Sequence, residues 1–171
     1  KKKFLSLLNK TKISISNDDT RHYLNGVYLH ATESNKNTFL TGVATDSHRL
    51  SSSSILVDNI QSFSSIIIPR KTVFQLCNLL ENIDDKLLIQ ASANKIKFSL
   101  GKIKLISKVI DGKFPDYQKV VPKENTKTLT VSSSDFINSV ERVASVSIDR
   151  KEGVKLELGR NKLKLSVNST N

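Results

Sequence analysis

Three adjacent residues, Asp46, Ser47 and His48, carry the side-chain types of a hydrolase triad. A triad needs a line of hydrogen bonds from the carboxylate through the imidazole to the hydroxyl. Neighbouring residues in an extended or turn segment point in different directions and do not form such a line. The spacing therefore argues against nucleophilic catalysis, and a hydrolase that uses His48 is only a remote alternative.

The other reactive residue types also give no catalytic pattern. Cys77, the single cysteine, lies on the apolar face of a predicted helix, which is typical of a buried structural thiol. His22, His30 and His48 lack the spacing of a metal-binding motif such as HExxH, and the chain has no glycine-rich phosphate loop. We therefore expect no metal, no cofactor and no catalysis.

The charge of the chain is strongly positive and unevenly distributed. The net charge is +11 over 171 residues, and lysines cluster in residues 1–12 and 95–123. Such clusters indicate either a polyanionic partner or a solvated surface encoded by an AT-rich genome, and charge alone leaves both open. One cysteine excludes a disulfide framework, and no stretch approaches the roughly 20 apolar residues of a membrane span. We expect a protein of a reducing, intracellular compartment and, because methionine is lacking, a piece of a longer chain.

The predicted elements form a repeat of one strand, one helix and three strands, at a spacing of roughly 60 residues. The first copy lacks its opening strand and the last lacks its final strand. Residues 111–126, with two of the three prolines, are predicted to be an interdomain linker. Helices are predicted over residues 3–11, 71–81 and 135–145, and strands over 22–32, 38–45, 49–57, 66–68, 87–89, 95–100, 102–105, 128–131, 153–158 and 161–167.

Two elements carry more detailed expectations. Ser134 is the predicted N-cap of the third helix. In residues 95–105 apolar residues alternate with lysines, so the strands have one apolar and one basic face. Residues 103 and 105 are predicted to point inward. In the third helix the predicted inward residues are Phe136, Val140, Val143 and Ala144.

Four motifs occur in an order that closely resembles the bacterial DNA polymerase III beta subunit, the β sliding clamp family. They are Tyr23-Leu24-Asn25-Gly26, ATDSHRL over residues 44–50, Ile68-Pro69-Arg70-Lys71 and DGKFPDY over residues 111–117. The resemblance covers essentially the whole chain. It assigns residues 1–126 to the clamp middle domain, lacking its first strand and ending in the linker 111–126, and residues 127–171 to an incomplete third domain.

The resemblance implies an α+β DNA-clamp fold of repeated strand-helix-three-strand units, with antiparallel sheets outside and helices inside. Family members are non-catalytic, cytoplasmic processivity factors of DNA polymerase III that close as head-to-tail homodimeric rings around double-stranded DNA without reading its sequence. Short linear motifs of the Gln-Leu-x-Leu-Phe type attach the DNA polymerase III alpha subunit, the clamp loader and repair polymerases. No cofactor and no membrane is implied. We expect this piece alone to be monomeric.

Carried over motif by motif, the resemblance also implies two sets of site residues. The partner-peptide pocket would contain Leu24, Thr45, Ser47, His48, Arg49, Leu50, Pro115 and Val120, with Arg21 and Lys119 at its rim. The DNA-contacting residues would be His22, Tyr23, Arg70 and Lys71.

Two positions depart from the family pattern. Ser47 stands where the family has glycine, which costs about 1 kcal/mol if the position requires a positive φ. His22 replaces one of two adjacent family tyrosines. The alternative to a clamp is a basic α+β domain that binds nucleic acid directly, and it predicts tight DNA binding with a steep salt dependence.

Overall fold

The computed structural model describes residues 1–57, 64–147 and 153–167. The chain divides into two compact units, Lys1–Tyr117 and Gln118–Asn171. Residues 111–117, predicted as the start of the linker, thus belong to the first unit. Within the described ranges, no helix combines the length and apolar character needed to cross a membrane.

In its described residues the first unit contains two α-helices and seven strands in the predicted order, which confirms the α+β class and the repeat. One antiparallel sheet has the order β3-β2-β1-β4 and the other the order β5-β6-β7. The helices are α1 (Lys2–Thr11) and α2 (Arg70–Asn82), and the strands are β1 (Gly26–Ser34), β2 (Asn37–Thr45), β3 (Leu50–Leu56), β4 (Ile66–Pro69), β5 (Leu87–Ala91), β6 (Lys95–Leu100) and β7 (Ile103–Lys108).

The two helices and both sheets share one apolar core. Helix α2 begins after Pro69, whose fixed φ suits a helix start, and it buries Val73, Leu76 and Leu80 at helical spacing. Helix α1 contacts α2 and strands β2 and β3. Phe98 of β6 completes the core from the second sheet and lies 6.3 Å from the ring of Phe4.

The strand predicted from residue 22 begins instead at Gly26. Residues Asp19–Leu24 form a 3₁₀ turn, because the carboxylate of Asp18 accepts the backbone N–H of Thr20 at 2.9 Å and caps it. Asn25-Gly26 is therefore the entry from this turn into β1. A side chain at position 26 would collide with the carbonyl oxygen of Ile68 on the paired strand β4, so glycine is required for this close approach.

The basic face of β6 and β7 is only partly as predicted. Lys95 and Lys104 are exposed and Lys97 is half-buried, whereas Ile96 and Phe98 are buried. Ile103, predicted to point inward, is 42% exposed. Ile103 is the first residue of β7 and directly follows the exposed turn residues 101 and 102, where solvent reaches its side chain.

The second unit contains helix α3 (Ser133–Ala144) and an antiparallel hairpin of β8 (Lys155–Gly159) and β9 (Lys162–Ser166). The helix cap is Ser132 and not the predicted Ser134, because the Ser132 hydroxyl accepts the backbone N–H of Asp135. The predicted strand over 128–131 is not formed. A strand needs a hydrogen-bonded neighbour, and in the described part of this unit β8 and β9 pair only with each other.

None of the described residues from 118 to 167 is buried. Phe136, Val140 and Val143, predicted to point inward, are half-exposed, and Ala144 is exposed. The physical reason is that few residues pack over the apolar side of α3. The helix contacts β9, and the hairpin is one layer thick.

Candidate functional site

The residues of the apparent triad are held in a turn and not in a catalytic line. Asp46 Oδ1 accepts the backbone N–H groups of His48 and Arg49, each at 3.0 Å, and does not bond the imidazole. The Ser47 hydroxyl accepts a hydrogen bond from the guanidinium of Arg21. The Asp46 carboxylate therefore shapes the turn, and the three side chains do not form the hydrogen-bonded line of a triad.

The thiol and the histidines likewise show no metal or nucleophile arrangement. Cys77 is buried in the core, and burial raises the pKa of its thiol, with Glu81 adding to the rise and Lys12 opposing it. Among the residues that the structure describes, no three His, Cys, Asp or Glu side chains are grouped to hold a metal ion.

The turn between β2 and β3 presents most of the predicted pocket residues. Thr45 pairs with Leu50 across the two strands, and its hydroxyl donates to the carbonyl of Arg49 at 2.8 Å. The same hydroxyl accepts the backbone N–H of Ser47 at 3.1 Å. Ser47 has φ +79°. This is the left-handed conformation that the glycine of the family pattern at this position suggested. Ser47, His48 and Arg49 are all exposed, so their side chains are accessible to a ligand.

Asp46 anchors this turn electrostatically. Burial raises the pKa of its carboxyl group, but the backbone N–H groups of Arg49 and His48 and the Arg49 guanidinium together lower that pKa below its usual value. Arg49 Nε lies 3.0 Å from Asp46 Oδ2. The ionised carboxylate thus orients the exposed guanidinium that was predicted to face a peptide.

Arg21, a predicted rim residue, is held between two segments. Its Nε lies 2.8 Å from Asp18 Oδ2, and its Nη1 donates to Ser47. The Thr20 hydroxyl, followed by Arg21 and the Thr20 backbone N–H, lowers the pKa of Asp18 to about 2. Asp18 is therefore charged at neutral pH and fixes Arg21 against the turn.

Leu24 and Leu50 belong to one apolar cluster beside this turn. Leu24 is only 3% exposed and packs with Val43, Ile67 and Phe114. Leu24 thus lies inside this apolar cluster, and Leu50 is half-buried against it.

Segment 111–117 brings a further predicted residue to the first unit. The Phe114 ring stacks on Tyr28 with centroids 4.8 Å apart, and the exposed Pro115 follows it. Lys119 and Val120 lie in the second unit, where Val120 is 68% exposed.

Three of the four predicted DNA-contacting residues line one shallow cleft of about 410 Å³, namely His22, Arg70 and Lys71. The Arg70 backbone N–H donates to the carbonyl of Asn25 at 2.9 Å and joins the start of α2 to the 3₁₀ turn. His22 Nε2 lies 3.2 Å from the carbonyl oxygen of Asp111, so this nitrogen is the donor. Tyr23 is half-buried against the Leu24 cluster and does not line the cleft.

Three residues organise these surfaces in ways that the sequence analysis did not predict, although Asp46 was considered there as part of a triad. Asp18 and Asp46 position Arg21 and Arg49. Their signal was local, because an acidic residue just before a turn often caps it. Phe74 is exposed on α2 beside Arg70, and the helical spacing of α2 did not indicate a role for it.

Comparison with known proteins gives two family matches that together cover nearly the whole chain. The model for the central domain of the DNA polymerase III beta subunit matches residues 1–116, and the model for its C-terminal domain matches residues 118–171. The beta sliding clamp of Caulobacter vibrioides is 38% identical over 164 residues, which are 95% of this chain and 44% of that protein. The Escherichia coli K12 clamp is 36% identical over 163 residues, 95% of this chain and 43% of that protein.

Solved structures show the same similarity. A Caulobacter crescentus beta sliding clamp with polyethylene glycol at a putative beta-motif tethering region has a TM-score of 0.95 at 37% identity, over 98% of this chain and 45% of that one. A Bartonella birtlesii sliding clamp bound to griselimycin has a TM-score of 0.90 at 42% identity, over 96% of this chain and 44% of that one.

These matches place the fold in the sliding-clamp class. The chain belongs to the family of bacterial DNA polymerase III beta subunits, and the resemblance found in its four motifs is confirmed. It spans less than half the length of the curated relatives it matches.

Proposed function

We propose that this chain is the central part of a DNA replication sliding clamp, a non-catalytic processivity factor that encircles double-stranded DNA and tethers DNA polymerase III to it. The observation that carries the proposal is the pair of adjacent family matches, to the central and C-terminal domains of the beta subunit. The positive net charge agrees with it, because sequence-independent attraction to phosphates suffices for a ring that slides. The two family matches do not support the alternative, a basic domain that binds DNA directly.

The ring itself requires parts beyond this chain, so its assembly belongs to the proposal. The whole protein would be a cytoplasmic homodimer with helices lining the DNA channel. The domain division that we propose puts residues 1–126 in the middle domain and 127–171 in the third. We expect the 171-residue chain alone to be monomeric by light scattering, and a stable dimer would contradict this.

We further propose that the β2–β3 turn and the Leu24 cluster form one half of a partner-peptide site. Leu24 and Leu50 supply an apolar floor and edge for a leucine or phenylalanine side chain of the peptide. The Asp46-oriented Arg49 contributes an aliphatic stem and a charge, and Thr45 and His48 lie at the same turn. Pro115, Ser47 and the rim residue Arg21 complete the part of the set that lies in the first unit, and Val120 and Lys119 remain residues that the family resemblance implies.

The test is a titration of a fluorescent Gln-Leu-x-Leu-Phe-type pentapeptide into the 171-residue chain, followed by anisotropy. Arg49→Ala changes an exposed side chain, so this variant should fold. We expect it to weaken saturable binding. Leu24→Ala should also weaken binding, but Leu24 is buried and that variant needs a check of its thermal unfolding.

Lys36→Ala is the matched control, because Lys36 is an exposed cation at the distant β1–β2 turn. It should bind the peptide like the unchanged chain. Equal affinities for the unchanged chain and Arg49→Ala would refute the proposed site. Lack of binding by the piece, with binding by the full-length protein, would place the essential contacts outside these residues.

A further inference from the structure

Phe74 is a large aromatic side chain exposed on α2 where an amphipathic helix normally carries a polar residue. It is 42% exposed, while its helix neighbours Val73 and Leu76 are buried in the core. Phe74 therefore does not belong to the core-facing side of α2. The residues around its ring indicate what it does at the surface.

Two cations from different elements converge on this ring. The Lys12 ammonium, just after α1, lies 5.5 Å from the ring centroid, and the Arg70 guanidinium, at the start of α2, lies 5.0 Å from it. Both distances are within the range at which a cation is attracted to the face of an aromatic ring. Among the described residues, neither Lys12 nor Arg70 forms an ion pair.

This arrangement keeps two like charges together without neutralising either. An acidic partner would hold a lysine or an arginine in place but would cancel its charge toward an anion. An aromatic ring orients the cation and leaves its charge and its hydrogen-bond donors available. Arg70 and Lys71 also line the cleft that contains His22, so the ring borders the proposed DNA-contacting surface.

We propose that Phe74 is a positioning residue that presents Lys12 and Arg70 to the phosphates of duplex DNA. This inference rests on the proposed function. It adds Lys12 to the phosphate-contacting set and gives Phe74 a role that an aliphatic residue of similar size does not fill. The ring acts through the two cations and makes no base-specific contact.

The experiment measures binding of a short mixed-sequence DNA duplex to the isotope-labelled 171-residue chain by NMR titration at low salt. Phe74→Leu keeps the apolar volume and removes the aromatic face, and it should weaken binding roughly three- to tenfold. Phe74→Trp keeps the aromatic face and should restore the affinity. In a Lys12→Gln/Arg70→Gln background, Phe74→Leu should have no further effect, because the two changes act through one interaction.

A second readout does not depend on DNA. The ring should shift the proton resonances of the Lys12 and Arg70 side chains, and these shifts should vanish in Phe74→Leu and persist in Phe74→Trp. Unchanged shifts in Phe74→Leu, or an equal loss of affinity with and without the two cations, would overturn the inference.

The outcomes also separate this inference from the proposed function. Duplex binding that needs Lys12 and Arg70 but not Phe74 overturns the inference alone. Duplex binding that is indifferent to Lys12, Arg70 and Lys71 counts against both the inference and the DNA surface, while the peptide titration still tests the clamp assignment.

Discussion

Ser47 holds a backbone conformation that an L-residue adopts at a cost. Its φ of +79° lies in the left-handed region, where the Cβ atom crowds the backbone by about 1–2 kcal/mol relative to the right-handed region. Its hydroxyl partly compensates by accepting the hydrogen bond from Arg21. The turn thus combines a local strain with a contact that positions a residue of the proposed peptide site.

Ser47→Gly should therefore stabilise the chain. We expect the free energy of unfolding to rise by about 1 kcal/mol, reduced by the loss of the exposed bond to Arg21, in urea unfolding followed by circular dichroism. Ser47→Ala is the matched control, since it keeps the Cβ atom and removes only the hydroxyl, and it should give no gain. An equal rise in the free energy of unfolding for Ser47→Ala would contradict backbone strain at this position.

Asp18 should link the 3₁₀ turn to pH. Its pKa is about 2 in the folded chain and close to its usual value of 3.8 when unfolded, so its stabilising effect is complete above pH 3.8 and is lost as the pH falls toward 2. Because the Thr20 hydroxyl is the largest cause of the low pKa, Thr20→Val should raise the pKa of Asp18. NMR titration of the carboxyl carbons measures this, with Asp46 as the internal control whose titration should stay unchanged.

Strands β1 and β4 approach each other closely at Gly26, and their pairing depends on this glycine. Gly26 is paired with Pro69, and a Cβ atom at position 26 would meet the carbonyl oxygen of Ile68, which is backbone and has little freedom to move. This contact joins the first helix-and-sheet repeat to the start of the second.

Gly26→Ala should destabilise the first unit by about 2 kcal/mol, because overpacking against backbone forces the strands apart. Urea unfolding measures the effect. At Gly153 an added Cβ atom meets nothing within 4 Å, so Gly153→Ala is the control and should change the stability little. Similar effects of the two changes would show that the strands can separate freely at Gly26.

The two compact units differ in how much of each is buried. The first unit has a core drawn from both helices and both sheets, whereas no described residue from 118 to 167 is buried. Local stability follows such burial, because an exposed helix or hairpin has little apolar area to lose on opening.

The rate of amide hydrogen exchange in the 171-residue chain should therefore differ between the residues before and after about Tyr117. We expect the amides of α3, β8 and β9 to exchange faster than those of α1, α2 and β2, measured by mass spectrometry at neutral pH. Equal protection in the two units would mean that they open together as one cooperative unit.

Local chemistry determined much of what the sequence predicted. Helices α1 and α2 follow from apolar residues at helical spacing, and the start of α2 follows from Pro69. The four motifs were enough to identify the family, since each is a short run of consecutive residues that can be read directly from the chain.

Tertiary structure decided what depends on distant neighbours. The start of β1 at Gly26 depends on Asp18 and Ile68, and the failure of residues 128–131 to form a strand depends on the lack of a pairing partner in the described part of the unit. The contact between Arg21 and Ser47 and the burial of Leu24 arise in the same way. Hydrogen bonds and burial between remote segments are set by their placement in space, which periodicity and propensity along the chain do not encode.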